Sequence, residues 1–334
     1  MKLYSAFGLY VLAIALHTVT SNCSYKVPEN KDGYLECDGP DETVEEIFVP
    51  EGNPIKEIKK GLFDSFVKVT SIYIGRAGIE KIEPGAFDNL HLLKNLQLNN
   101  NNIKMIKKGT LNSLANVTQL EITFNQLESL EANTFLGMEL LAWLSLSANQ
   151  IEDIDKDAFN GLGNLQNLFI SSNKLHKLDV NTFRPLTSLT ILELAGNNFH
   201  SFELGIFSNL RNLETLTLSH NHLEELPDNL FYNLTALSNL DITGNNIHTL
   251  QVDLFNGVEN LKKLHFQFNN VSHFDSKSIL SRLPQLKEIL LVNNPWKCDE
   301  LRKLKINFVE RGVLIPIFVP DVDKLNVDGI ACNE

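Results

Sequence analysis

Cysteine is scarce in this chain and confined to its two ends. The 334 residues contain four cysteines, with Cys23 and Cys37 near the start and Cys298 and Cys332 near the end. A dense disulfide scaffold is therefore excluded, and if the four residues pair, no thiol is left for nucleophilic catalysis. Three pairings are formally possible. The two local ones are favoured, because a long rigid body between the pairs would keep the ends apart.

Long hydrophobic runs and a basic excess are missing as well. After the N-terminal region, no apolar stretch reaches the roughly 18 residues of a membrane-spanning helix. The last residues, DGIACNE, carry no hydrophobic tail for a lipid anchor. The formal net charge is −12, from 29 basic and 41 acidic residues. This balance argues against binding to nucleic acid and to anionic membranes, because both require basic groups.

Motifs that carry enzyme chemistry are absent too. The sequence contains no P-loop, no GxSxG and no HExxH. Acid pairs such as Glu45–Glu46 are adjacent along the chain and do not face each other across a cleft. The sequence therefore predicts a protein that is not an enzyme and that uses no cofactor and no metal.

The N-terminus has the pattern of a targeting segment. It reads MKLYSAFGLYVLAIALHTVTS, in which Lys2 precedes an apolar run from Ala6 to Leu16 and small residues follow. This order predicts a signal peptide over residues 1–21 and hence a secreted, extracellular protein. An oxidising compartment in turn favours disulfide formation.

What the chain does contain is one unit, repeated. The unit LxxLxLxxNxL stands at Leu93 to Ile103 as LKNLQLNNNNI and returns every 24 residues, up to LKKLHFQFNNV from Leu261. A second column, mostly phenylalanine, keeps the same period from Phe63 to Phe255. Each unit predicts one short strand, with alternate side chains on one face, and a return segment. A single unit cannot bury its apolar face, so the units are predicted to stack into a solenoid with a continuous core and a parallel sheet.

One asparagine per unit is predicted to be structural. Backbone groups that are buried where the chain leaves each strand need hydrogen-bond partners. An asparagine amide offers both donors and an acceptor. The predicted ladder consists of Asn101, Asn125, Asn149, Asn173, Asn197, Asn221, Asn245 and Asn269.

These columns resemble the extracellular leucine-rich repeat family, of the typical 24-residue class. The resemblance implies an α/β solenoid: a right-handed horseshoe with a concave parallel sheet, a mostly irregular convex side and disulfide caps at both ends. It also implies a division of the chain. The expected parts are a signal peptide (1–21), an N-terminal cap (22–43), about ten or eleven repeats (44–297) and a C-terminal cap (298–334).

The chain ends resemble the caps of this family. NKDGY, Asn30 to Tyr34, is expected to form a hairpin turn, and NNPWKC, Asn293 to Cys298, looks like the start of a C-terminal cap. Family caps often carry more cysteines, and Glu300 stands where one is common. The resemblance therefore implies one disulfide per cap, Cys23–Cys37 and Cys298–Cys332. The layout is similar to that of short secreted arthropod leucine-rich repeat proteins, some linked to humoral immunity and others to adhesion.

The concave sheet of a solenoid is its usual binding surface. Strand alternation predicts clustered aromatic and apolar side chains there, flanked by acids. Such clusters often mark interfaces, and Trp is a favoured hot-spot residue. The partner would then carry basic groups around an apolar plug; alternatively, the side chains lie flat and cover one another. The predicted partner-binding residues are Tyr73, Glu121, Phe124, Trp143, Phe169, Ile191 and Glu193.

Histidines follow the asparagine ladder at repeat spacing. They are His176, His200 and His248, with His220 and His222 nearby. Stacked imidazoles can bind a metal or sense pH. The preferred interpretation is a solvated polar column, because Glu and Lys occupy the same position in other units.

Three Asn-x-Ser/Thr sequences are predicted glycosylation sites: Asn116, Asn233 and Asn270. All three fall outside the predicted concave positions, so glycans would leave the sheet free.

The sequence thus predicts a secreted, non-enzymatic protein that recognises another protein through its concave face, in extracellular recognition or innate immunity. One alternative is a matrix or cell-surface adhesion component that self-associates as a homodimer. Another is recognition of a microbial glycan or lipid, because aromatic side chains can stack on sugars.

Overall fold

Alternating leucines place one short strand in each turn of the chain. The structure, a computed structural model, describes residues 20–26, 33–38, 41–317 and 325–334. The strands are β1 (Thr20–Lys26), β2 (Tyr34–Cys37), β3 (Glu46–Val49), β4 (Glu57–Ile58), β5 (Ser71–Ile74), β6 (Lys81–Ile82), β7 (Asn95–Gln97), β8 (Gln119–Glu121), β9 (Ser129–Leu130), β10 (Trp143–Ser145), β11 (Asp153–Ile154), β12 (Asn167–Phe169), β13 (Ile191–Glu193), β14 (Thr215–Thr217), β15 (Asn239–Asp241), β16 (Lys263–His265), β17 (Glu288–Leu290), β18 (Asn326–Val327) and β19 (Ile330–Ala331). Helices are α1 (Ser276–Arg282) and α2 (Cys298–Glu310), with 3₁₀ turns at Asp41–Thr43 and Val252–Phe255.

Thirteen of the described strands form one sheet, in the order β17-β16-β15-β14-β13-β12-β10-β8-β7-β5-β3-β1-β2. Neighbouring strands are parallel, except that β1 and β2 are antiparallel. The register places Leu96, Leu120, Leu144 and Leu168 opposite one another, and all four are buried in the core. Residues on either side of these leucines point away from the core, onto what we call the concave face. The predicted solenoid with a concave parallel sheet is confirmed.

The opposite, convex side is mostly irregular. It holds two short parallel pairs, β4–β6 and β9–β11. The phenylalanine column is buried beneath it, and the rings of successive turns stack: Phe135 on Phe159 at 6.1 Å and Phe159 on Phe183 at 6.4 Å between centroids. Leu111 takes the column position in one turn and interrupts the stack.

Every predicted ladder asparagine is buried and joins two turns. In Asn149, Nδ2 donates to the carbonyls of Ile122 (2.8 Å) and Leu146 (2.9 Å), and Oδ1 accepts from the backbone N–H of Leu127 (3.0 Å). These groups would otherwise be buried without partners. The ladder has one further member, Asn294, whose Oδ1 accepts from the N–H of Val271 at 3.1 Å.

A hairpin closes the N-terminal end of the sheet. β1 and β2 bring Cys23 opposite Cys37, and the two form a disulfide. β1 also pairs with β3, so the sheet runs on into the hairpin. The predicted NKDGY turn lies partly outside the described residues, since 27–32 are not among them. The predicted signal peptide also lies outside them, except for residues 20 and 21, which begin β1.

The C-terminal end is closed by α2 and a second disulfide, Cys298–Cys332. Trp296 is fully buried there, and its indole N–H donates to the carbonyl of Leu291 at 2.8 Å. Its ring packs edge-on against Phe266 and Phe274. Both predicted disulfides are therefore present, whereas the domain boundaries at 21, 43 and 297 stay predictions. No helix in the described ranges is long and apolar enough to cross a membrane.

Candidate binding surface on the concave sheet

The aromatic centre of the concave face is a pair of rings on neighbouring strands. Trp143 begins β10, and Phe169 ends β12. The register sets Trp143 opposite Asn167, so Phe169 is its diagonal neighbour, and the two ring centroids lie 4.6 Å apart with a 37° tilt. Ile191 on β13 is also opposite Asn167 and thus diagonal to Phe169 from the other side. The three predicted side chains are therefore brought together.

Phe169 is less exposed than the sequence predicted. Only 8% of its surface is accessible, because Trp143 leans over it. The expectation that Phe169 is exposed was wrong. For this ring the alternative interpretation is correct, in which neighbouring side chains cover one another. The indole N–H of Trp143 is enclosed too and has no hydrogen-bond partner in the structure. A buried indole usually finds an acceptor, so the N–H of Trp143 is an unsatisfied donor.

Phe124 is separate from this pair. It lies in the turn after β8, at φ 54°, and is 62% exposed. The same position is left-handed in every turn from Arg76 to Asn293, and two of these residues are glycines, Gly196 and Gly244. The sequence interpretation counted Phe124 as an outward strand position; the structure corrects it to a turn residue at the edge of the sheet. Gly and Asn in this column were the signal, since both tolerate positive φ.

The two predicted acids differ sharply in their surroundings. Both end a strand of the sheet and both are half-buried. The Glu121 carboxylate accepts hydrogen bonds from the side-chain amides of Gln119 (2.6 Å), Asn99 (3.0 Å) and Gln97 (3.5 Å). Its charge is therefore satisfied within the protein.

Glu193 has no such donors among the described residues. The register puts it between Phe169 and Thr217, with Asp241 one strand further on. Burial raises the pKa of Glu193 above its ordinary value, and the negative charge of Asp241 raises it further. A half-buried carboxylate without a partner is costly to keep ionised.

Tyr73 lies at the N-terminal end of the sheet, on β5, three strands before Trp143. Its direct neighbour is Phe48 on β3, which is exposed. Phe48 was not among the predicted residues, because the first unit contains an extra residue that puts its pattern out of phase. These two aromatics form a second patch, distinct from Trp143 and Phe169.

Comparison with known proteins agrees with this architecture. The family model described as "Leucine rich repeat" matches residues 91–151, 141–199, 187–247 and 235–295, a continuous span of more than half the chain. The chain belongs to the leucine-rich repeat family. Comparison with curated protein sequences gives no match.

Solved leucine-rich repeat structures are similar to this one. TLR13, in its complex with ssRNA13, is 27% identical with a TM-score of 0.68; the match covers 76% of this chain and 36% of TLR13, so this chain spans about a third of its length. A chain of the octameric complex of Latrophilin 3, Unc5D and FLRT2 (LRR) is 22% identical, with a TM-score of 0.73, covering 92% and 99%. The Drosophila Toll–Spatzle complex contains a chain that is 19% identical, with a TM-score of 0.57, covering 77% and 45%. The last two likenesses show the fold alone.

At the C-terminal end of the leucine-rich repeat sheet, basic groups are already paired. His265 Nε2 lies 2.9 Å from an oxygen of Glu288, and Lys263 Nζ lies 3.9 Å from the other. The outward residues of β12 to β15 include no Lys or Arg. The floor of the concave face around Glu193 is therefore negative.

The histidine column is exposed. The rings of His200 and His222 stack with centroids 5.4 Å apart, and Nδ1 of His200 lies 3.1 Å from the carbonyl oxygen of Asn198. Within the described ranges, no three His, Cys, Asp or Glu residues are grouped so that they could hold a metal.

The three glycosylation sequences lie outside the sheet strands. Asn116 and Asn270 are exposed and Asn233 is half-buried. The Nδ2 of Asn116 donates to the carbonyl of His91 at 2.8 Å. Asn164, Asn212 and Asn260 make the same bond to the preceding turn, which forms a second asparagine column that the sequence analysis missed.

Proposed function

We propose that this leucine-rich repeat protein is a secreted, non-enzymatic binding protein that recognises another protein with its concave face, in extracellular recognition such as innate immunity. The observation that carries the proposal is the Trp143–Phe169 pair beside the unpartnered Glu193. The buried columns account for the stability of the fold, and these three residues belong to none of them. A half-buried Trp143 that covers a buried Phe169 next to a carboxylate has the composition of a hot spot within a polar rim.

Features at the ends and on the surface support an extracellular location. The disulfides Cys23–Cys37 and Cys298–Cys332 persist in oxidising compartments. The glycosylation sequences at Asn116, Asn233 and Asn270 lie away from the concave strands, so attached glycans would leave the sheet open. The proposed signal peptide over residues 1–21 agrees with both.

Structural relatives suggest the class of partner. In the complexes named above, Toll is in a complex with Spatzle, and FLRT2 is in a complex with Latrophilin 3 and Unc5D. TLR13 is in a complex with single-stranded RNA. For this chain the net charge of −12 and the negative concave floor favour a protein over a nucleic acid.

A glycan placed on the concave face tests the proposal. Thr217→Asn on β14 creates an Asn-Leu-Ser glycosylation sequence in the centre of the sheet. Lys108→Asn creates Asn-Gly-Thr on the convex side and is the matched control. Proteins captured from extracellular fluid are identified by mass spectrometry, and their affinities are then measured with purified material.

We expect the glycan at position 217 to abolish capture and the glycan at position 108 to leave it unchanged, because only the first blocks the sheet. Mass analysis shows whether each site carries its glycan, and thermal unfolding shows whether each variant is folded. Unchanged affinity of the folded, glycosylated Thr217→Asn variant refutes recognition through the concave face.

A further inference from the structure

The carboxylate of Glu193 and the indole N–H of Trp143, both on the concave face, have no hydrogen-bond partner among the described residues. Other acids on this face do have partners: three side-chain amides surround the carboxylate of Glu121. The two acids have the same position in their strands and similar burial. The difference is that Glu193 is set beside an aromatic ring instead of amides.

The immediate neighbours of Glu193 are apolar on one side and polar without charge on the other. Phe169 lies opposite on β12 and Thr217 on β14. The next acid, Asp241, points from β15, and its Oδ1 already accepts from the N–H of Thr243 at 2.9 Å. The nearest basic side chain along the sheet, Lys263, is paired with Glu288. Within the part of the chain that the structure describes, no group therefore neutralises Glu193.

An aromatic ring beside an unpaired carboxylate is the combination that an arginine side chain recognises. An arginine guanidinium is planar, binds a carboxylate through two parallel N–H groups and stacks on aromatic faces. Its carbon stem covers apolar surface while the charged head stays at a carboxylate. Trp143, which leans over Phe169, offers the ring, Ile191 offers aliphatic surface, and Glu193 offers the carboxylate within the same three strands.

We propose that the concave sheet takes an arginine side chain of its protein partner beside the Trp143–Phe169 pair and against Glu193, with apolar residues of the partner on either side. This inference rests on the proposed function, since it states the chemistry that the partner presents to the concave face. The charge is complementary, because the outward residues of β12 to β15 contain acids and no Lys or Arg.

The protein contains its own reporter for this site. Of the two tryptophans, Trp296 is fully buried and bonded to Leu291, whereas Trp143 is part of the proposed site. Emission is therefore followed while acetyl-Leu-Arg-Leu-amide is added up to millimolar concentration. The comparison peptide carries citrulline, which has the shape of arginine without its charge.

We expect the arginine peptide to change the emission of the native protein and to bind about tenfold or more tightly than the citrulline peptide, because a charge-assisted pair is lost in the latter. Glu193→Gln is expected to abolish this preference. Glu121→Gln is the matched control, on the same face and with the same loss of charge, and is expected to retain it. Thermal unfolding checks that both variants are folded.

Four outcomes of the peptide experiment overturn the inference: no response of the native protein, equal binding of the two peptides, a preference that Glu193→Gln retains, or equal loss of preference in both variants. The last would mean that only the summed negative charge matters. The captured partner separates this inference from the proposed function. If the glycan at position 217 blocks binding of the partner but Glu193→Gln does not lower its affinity, recognition through the concave face is supported and the arginine site is refuted. If neither change has an effect, the proposed function falls as well.

Discussion

The interior and the concave face of this solenoid are built from the same 24-residue unit by opposite rules. Inside, most turns repeat the same residues: leucine at the centre of the strand, asparagine after it and phenylalanine on the return. On the concave face, neighbouring positions hold Glu121, Ser145, Phe169, Glu193 and Thr217 in succession. The fold constrains the buried residues and leaves the outward residues of the strands free to differ, so the features particular to this protein lie on the concave face.

Two phenylalanines provide the largest test of this contrast. Phe159 is fully buried between Phe135 and Phe183, whereas Phe124 is 62% exposed at the edge of the sheet. Phe159→Ala is expected to lower the free energy of unfolding by about 3–5 kcal/mol, because it leaves a cavity in the stack. Phe124→Ala should change it by no more than about 0.5 kcal/mol. Denaturant unfolding measures both, and an unchanged midpoint for Phe159→Ala would contradict the structural role of the column.

A smaller effect separates two adjacent asparagines. Asn245 accepts from the N–H of Leu223 and donates to the carbonyls of Leu218 and Ile242. Asn246, next to it, is exposed. Asn245→Ala is expected to destabilise the protein by about 1–3 kcal/mol for each backbone group left without a partner. Asn246→Ala should be nearly neutral. Hydrogen exchange at the amide of Leu223 should become faster in the first variant alone, and equal exchange in both would argue against the ladder.

The smallest effect concerns pH. Because the folded protein holds the pKa of Glu193 above its ordinary value through burial and through Asp241, the folded state binds a proton more readily than the unfolded state. Proton binding by Glu193 therefore contributes to the free energy of unfolding. This contribution is fully present below the ordinary glutamate pKa of about 4.3 and is lost as the pH rises through the raised pKa of the folded state. Glu193→Gln is expected to remove that part of the pH dependence, and Glu121→Gln is expected to leave it in place. Unfolding curves from pH 4 to 8 measure it; identical profiles for native and Glu193→Gln protein would show that Glu193 is not the group responsible.

Much of the interior could be predicted from the sequence, because a column that recurs every 24 residues leaves few structures able to bury it. The ladder asparagines, the phenylalanine column and both disulfides are where the pattern indicated. The concave face was harder to predict. Alternation tells which side of the sheet a residue faces, but Phe169 is covered by Trp143 through a diagonal contact whose closeness depends on ring rotamers.

Residues outside the regular strand were also misjudged. Phe124 occupies a left-handed turn that bulky residues seldom adopt, so the strand interpretation was the natural one. The state of Glu193 was not visible either, since two of the three amides around Glu121, those of Gln97 and Asn99, come from the preceding turn. Such contacts depend on which turns are neighbours, and that is known only once the stacking is known.

The asparagine ladder also gives the molecule a direction. Each Oδ1 accepts from the turn before it, as Asn149 does from Leu127, so every turn is completed by its successor. Whole turns are therefore interchangeable modules, and the chain can lengthen or shorten by 24 residues while both ends stay the same. The step from Asn269 to Asn294 has 25, and its convex segment is the helix α1. In that turn the extra residue is accommodated on the convex side, and β17 stays in register with β16 on the concave face. The length of the concave face can therefore change in steps of whole turns.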